Sequence, residues 1–122
     1  MAREIYLDDE SVPLWVRIKE CMRMCDIALA ECKTRGQRMV EAEVEYYTAK
    51  AEESFRLLEA GYANTLIQTV IKGRPRVAKA MGEYHAAQVE YENAREARNI
   101  WKKKLDTLRE QYVREWSEAG RK

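Results

Sequence analysis

The sequence predicts an all-α protein: a long antiparallel helical hairpin, coiled-coil-like, with a short linker helix, pairing as a dimeric four-helix bundle. Three observations predict it. Charged residues make up 35% of the 122, while five Gly and two Pro are the only helix breakers, which favours helix over sheet or disorder. Apolar residues recur at three- and four-residue steps over two long stretches. A compact linker rich in turn signals, between Gly61 and Pro75, separates the two.

Residues 1–10 read as an arm that alternates weakly, "EIYLDDE", and residues 11–122 as one helical domain. Ser11 is placed to cap, Pro13 suits a first turn, and Asp8, Asp9 and Glu10 lie near the positive helix end. The first helix is expected over about 12–60. Its stripe begins Leu14, Ile18, Cys21, Cys25, Ala28, Cys32. "KTRGQR" (33–38) interrupts the stripe and leaves two readings open, a break or a weak stretch of one long helix containing Gly36. The stripe is then read one residue out of phase, at Val40, Val44, Tyr47, Ala51, Phe55 and Leu58, with Gly61 just past the helix end. Thr65 and Gln68 form a capping-box pattern for a short helix over 65–72, ended by Gly73. Pro75 opens the last helix, expected over 75–117. Its stripe is the cleanest: Val77, Ala80, Tyr84, Ala87, Tyr91, Ala94, Arg98, Trp101, Leu105, Leu108, Tyr112.

Trp15, Tyr46, Tyr62 and Trp116 lie off a narrow seam, and a lone hairpin has little interior. These two facts predict a homodimer that closes a four-helix arrangement. Charge is also unevenly spread. Residues 1–60 carry a net −4 and residues 61–122 a net +5. A fold-back sets an acidic helix against a basic one. That fixes register more than stability, since exposed pairs contribute about 0–1 kcal/mol each.

No run of about 18 apolar residues is present, so no membrane-spanning helix is expected. The first ten residues lack a signal-peptide pattern, and three cysteines without a leader suggest a reducing, cytoplasmic setting. Cys21, Cys25 and Cys32 share one helical face. A zinc site needs four ligands and a second pair, neither of which the pattern supplies, so core packing is the favoured reading and no cofactor or metal is expected. His85 is the only histidine and has no nucleophile near it in sequence. No phosphate loop, nucleophile elbow or His-Glu metal pattern occurs, so no enzymatic activity is expected. Acids such as Glu52 and Glu110 precede Arg56 and Arg114 by four residues, the favoured order for helix-surface pairs. Arg98 in the core stripe calls for an acid of the facing helix, such as Glu41, Glu43 or Glu45, or of a partner chain.

Two basic clusters remain. Lys72, Arg74, Arg76 and Lys79 surround Gly73 and Pro75 with no acid among them. The last helix lacks a Ser, Thr, Asp or Asn cap, so free N–H groups and four uncompensated cations make an anion-receptive tip. The competing reading is a solvated turn. Lys102, Lys103 and Lys104 follow Trp101 and form a secondary cluster, but three consecutive residues sweep about 200° of a helix and cannot share one ligand.

The stretch "YENAREARNIWKKKLDTLREQYVREW", preceded by "TLIQTVIKG" and "VAKAM", resembles a family of small coiled-coil proteins of phages and prophages, often encoded near recombinase or single-strand-binding protein genes. The shared pattern falls on Thr65, Leu66, Ile67, Lys72, Gly73, Val77, Ala78, Asn99, Trp101, Lys102, Arg114, Glu115 and Trp116, and covers residues 40–116. Arg98 stands where an aliphatic residue is usual, and the N-terminal segment is longer. The resemblance implies no reaction. It implies a setting in phage DNA metabolism or a phage–host encounter. The expected function is an accessory module in recombination or replication, touching DNA or a DNA-bound protein through the basic tip. The alternatives are a protein-only module, such as an inhibitor of a host defence or nuclease, and a structural coiled-coil protein.

Overall fold

Pro13 launches the first long helix, but not by the expected cap. The Asp9 carboxylate accepts hydrogen bonds from the Ser11 N–H (2.9 Å) and the Ser11 hydroxyl (2.6 Å). The Ser11 oxygen therefore serves the preceding turn. The Pro13 carbonyl takes the first bonds, from the N–H groups of Val16 (3.0 Å) and Arg17 (3.1 Å). The computed structural model describes residues 7–120, so the expected arm is seen only from Leu7 onward and the rest of it lies outside the described residues.

The architecture is all-α. Helix α1 spans Leu14–Glu59, α2 Asn64–Val70, a 3₁₀ turn Ile71–Gly73, and α3 Pro75–Gly120. No strand occurs among the described residues. Together α1 and α3 form a long helical hairpin. Residues 33–38 do not break α1. Gly36 is instead a seat: a Cβ there would stand 3.2 Å from the Tyr91 ring, so the missing side chain lets that ring lie against the α1 backbone.

The linker is built by backbone bonds. Gly61 adopts φ +93°, and the N–H groups of Gly61 and Tyr62 donate to the carbonyls of Leu58 and Leu57, both at 3.0 Å. This is a Schellman end with glycine in the left-handed position. The capping box does not form. Helix α2 starts at Asn64 with Ala63 as its cap, and no side chain bonds there. Thr65 is already helical, because the helix is phased by burial of Ile67 and Ile71 and not by the threonine hydroxyl. Pro75 is the first residue of α3, as expected, after Arg74 in extended conformation.

The residues group into two compact units. The unit over residues 33–93 has a core of Ala49, Leu57, Ile67, Ile71, Val77 and Ala80, flanked by Tyr46 and Val70. The unit holding the described residues up to Cys32 and from Ala94 onward has a smaller core of Leu7, Cys21 and Leu105, flanked by Ile18, Cys25, Trp101 and Leu108. The α3 stripe is buried or half-buried as read, except Tyr112 at its end, which is exposed. So is the first part of the α1 stripe, from Leu14 to Cys32.

The second part of the α1 stripe is corrected. Since the helix is continuous, its seam keeps its phase through Gly36, Met39, Ala42, Tyr46, Ala49, Glu53 and Leu57, all buried or half-buried. The expected positions Val40, Val44, Tyr47, Ala51, Phe55 and Leu58 are all exposed. Tyr46, expected off the seam, is part of it, and its ring stacks on Tyr84 with centroids 6.0 Å apart.

Gly61 and Gly73 test the linker. Neither has an atom within 4 Å of a built Cβ, and only Gly61 has positive φ. Gly61→Ala is expected to cost about 1–2 kcal/mol and Gly73→Ala less than about 0.5 kcal/mol, read from urea-denaturation midpoints.

Candidate functional site

The basic tip is partly neutralised from α1. Helix α1 carries acids at one-turn spacing near its end, and α3 begins with two arginines. Arg74 reaches Glu53 with Nε and Nη2, each 3.4 Å from Oε2. Arg56 Nη1 lies 3.2 Å from the other oxygen, Oε1. Glu53 is only 5% exposed, so this acid is buried with a cation on each oxygen. Losing one partner of a buried charge is costly, which makes Glu53 the anchor of the turn. Arg76 pairs with Glu52 and, at 3.6 Å, with Glu45.

Four uncompensated cations are therefore not what the fold presents. Arg74 and Arg76 have acids; Lys72 and Lys79 are exposed and form no ion pair among the described residues. Arg56 turns to Glu53, one residue on from the expected Glu52, because Arg76 has taken Glu52. The hydrogen bond and charge of Arg76 hold the Glu52 carboxyl below its ordinary value and push the Arg76 guanidinium up. Farther along the same unit, the Tyr84 hydroxyl donates to Glu43 (3.3 Å). Its own pKa is raised, by desolvation first and Glu43 second.

The acids expected to meet Arg98 are thus engaged by Tyr84 and Arg76 in the case of Glu43 and Glu45. Arg98 is half-buried and forms no salt bridge among the described residues. Its long side chain lets the guanidinium reach water from a seam position, so no acid is required.

The secondary cluster behaves as a solvated face. Lys102, Lys103 and Lys104 are all exposed. Lys104 Nζ lies 4.7 Å from the centroid of the Trp101 ring, a cation–π contact that occupies the face a base would stack on. Lys103 and Lys104 border a shallow groove of about 330 Å³ with Leu7, Ile100 and Leu108.

The cysteines are core residues. Cys21 and Cys32 are buried, Cys25 is half-buried, and all three are free thiols. Cys21 Sγ lies 3.7 Å from the Trp101 carbonyl, and burial followed by the neighbouring Cys25 raises its pKa to about 11. His85 is exposed beside Tyr84, with ring centroids 6.0 Å apart. Among the described residues, no group of three or more His, Cys, Asp or Glu is placed to hold a metal. Among the same residues, no helix is long and apolar enough to cross a membrane.

Helix α1 carries an exposed apolar row. Val40, Val44, Tyr47, Phe55 and Leu58 are 51–60% exposed, and Ala51 lies among them. Sequence reading found these residues and their three- and four-residue spacing, but assigned them to the hairpin seam. The missed signal was the one-residue phase slip itself. In an unbroken helix it rotates the row by about 100°, away from the seam. In the other unit, α1 likewise exposes Trp15, Met22 and Leu29 at seven-residue steps beside its buried stripe.

Comparison with family models, curated proteins and solved structures finds no match to this chain.

Two measurements follow from this geometry. A carboxyl with a depressed folded pKa contributes stability above its unfolded value and loses it as pH falls through the folded one. The Glu52 contribution should therefore be complete above its ordinary 4.5 and disappear on further acidification, and Arg76→Gln should flatten that acid limb of a Tm-versus-pH profile. In native protein at pH 8, iodoacetamide should modify Cys25 first and Cys21 only on unfolding, as read by mass spectrometry of the digested chain.

Proposed function

We propose that the chain is a non-enzymatic helical module that works by protein–protein contact through the apolar row of α1. The partners open to it are a second copy in a homodimer, a DNA-bound protein or a host protein. One observation supports this above the others. Five large apolar side chains, each at least half exposed, lie along one face of one helix. Scattered exposed apolar residues are ordinary, but a contiguous row of this length marks an interaction surface. The row is laid out as a helix-in-groove or coiled-coil seam would be, with anchors at three- and four-residue steps.

The reading as an accessory module in phage DNA recombination or replication has a narrower support. It rests on the resemblance over residues 40–116 and on Lys72 and Lys79, the two tip cations that form no ion pair among the described residues. Arg74 and Arg76 would have to leave Glu53, Glu52 and Glu45 to serve a phosphate. Two lysines neutralise two phosphates, which gives a log–log salt slope of only about 1.8.

Lysine-directed cross-linking with mass spectrometry, in cells expressing the protein, separates these readings. Intermolecular protein links should concentrate on Lys33, seven residues before Val40, and Lys50, three after Tyr47, and should survive nuclease treatment. Links confined to Lys72 and Lys79, and abolished by nuclease, would sink the protein-contact reading in favour of the nucleic-acid one.

A further inference from the structure

We infer that the apolar row of α1 docks a second copy of this chain, α1 against α1, antiparallel across a two-fold axis. The inference rests on the protein-contact reading and names its partner.

The seam of α1 in this unit is centred on Tyr46, Ala49, Glu53 and Leu57, and the open row is one residue step around, about 100°. A helix in a four-helix bundle touches two neighbours set about 90° apart around a square. One neighbour, α3, is present in the chain. The row faces the place of the other.

Helix α3 offers no matching row. Beside its seam in this unit stand Arg76, Lys79, Glu83, Ala86 and Glu90 on one side and Ala78, Met81, His85, Gln88 and Glu92 on the other, with Met81 the one large apolar side chain among them. A bundle closed mainly through α3 would bury Lys79, Glu83 and Glu92, and charges buried without partners are costly. The self-complementary contact is therefore carried mainly by α1, and a two-fold axis satisfies it with the same patch on both copies.

Charge at the ends of the row favours the antiparallel sense. Most acids of residues 41–59 are already paired within the chain, and Arg35 and Arg38 both reach Glu90 of α3, at 2.8 and 3.7 Å. An antiparallel pair that sets Val40 against Leu58 brings Arg38 of each copy beside Glu59 of the other, whereas a parallel pair sets Arg38 beside Arg38 and Glu59 beside Glu59.

Five large side chains offering on the order of 100 Å² each give about 1,000 Å² over two copies, before the flanking residues are added, which reaches the lower bound of a specific interface. Tyr47 and Phe55 are the residue types enriched at the cores of such contacts.

Light scattering on the full chain at about 50 µM, far above the dissociation constant of a specific homodimer, tests the pairing. The expected mass is twice the 14.4 kDa of one chain. Val44→Glu with Tyr47→Glu should halve that mass while circular dichroism stays unchanged, because both positions are exposed in the single chain. Orientation is read by oxidative cross-linking in a Cys25→Ser background. Val40→Cys chains mixed with Leu58→Cys chains should form a disulfide, and Val40→Cys chains alone should not. A stable 14.4 kDa species for the unmodified chain overturns the inference, as does a dimer untouched by the double substitution. Self-cross-linking of Val40→Cys overturns the antiparallel arrangement. A monomer whose Lys33 and Lys50 still link to another protein would overturn the second-copy partner and leave the protein-contact module standing.

Discussion

The phase of α1 through residues 33–38 is the constraint on which the rest of this structure depends. An α-helix advances about 100° per residue, and nothing in this stretch resets that advance. Gly36 weakens the helix intrinsically, by roughly 1 kcal/mol relative to alanine. The same absence of a side chain lets the Tyr91 ring pack where a Cβ would stand 3.2 Å away. With the phase preserved, the seam runs on through Met39, Tyr46, Ala49 and Leu57. The more apolar set beginning at Val40 is carried around the helix and stays outside.

That outcome explains why the interior of this unit is thin. Its fully buried side chains are few: small ones along the seam, Ala49 from α1 and Ala80 and Ala87 from α3, and larger ones near the linker, Leu57, Ile67, Ile71 and Val77, while Tyr46, Tyr84 and Tyr91 are only half-buried. Small residues let helices approach closely but bury little area, and stabilisation scales with apolar area removed from water. The large apolar residues that could have thickened the core are those on the open row. A chain that leaves them in water keeps a surface whose burial contributes only when something docks on it.

Electrostatics organise the linker end. The sequence sets an acidic first half against a basic second half, and the fold realises this in pairs that cross the hairpin: Glu53 with Arg74, and Glu52 and Glu45 with Arg76. Exposed pairs of this kind contribute little individually. Glu53 differs because it is buried and holds a cation on each oxygen, so the turn is specified by a group that cannot be left alone. The cost falls on any anion-binding role of the tip, since the arginines best suited to grip a phosphate are already gripping carboxylates.

The all-α class, the hairpin, the linker positions and the seam of α3 from Val77 to Leu108 were legible in the sequence, because each depends on local spacing and on single residues such as Gly61 and Pro75. The first half of the α1 seam, from Leu14 to Cys32, was legible for the same reason. What the sequence could not decide was which of two apolar rows, one residue apart, meets α3. Either satisfies helical periodicity, and hydrophobicity favours the wrong one. The choice depends on close approach at Gly36 and on the buried carboxylate of Glu53, both contacts between residues far apart in the chain. The pairing of Arg74 and Arg76 was hidden likewise: a cluster of cations looks uncompensated until the turn brings α1's acids beside it. Local periodicity therefore determined the helices, and tertiary contact alone decided which faces close and which charges remain free.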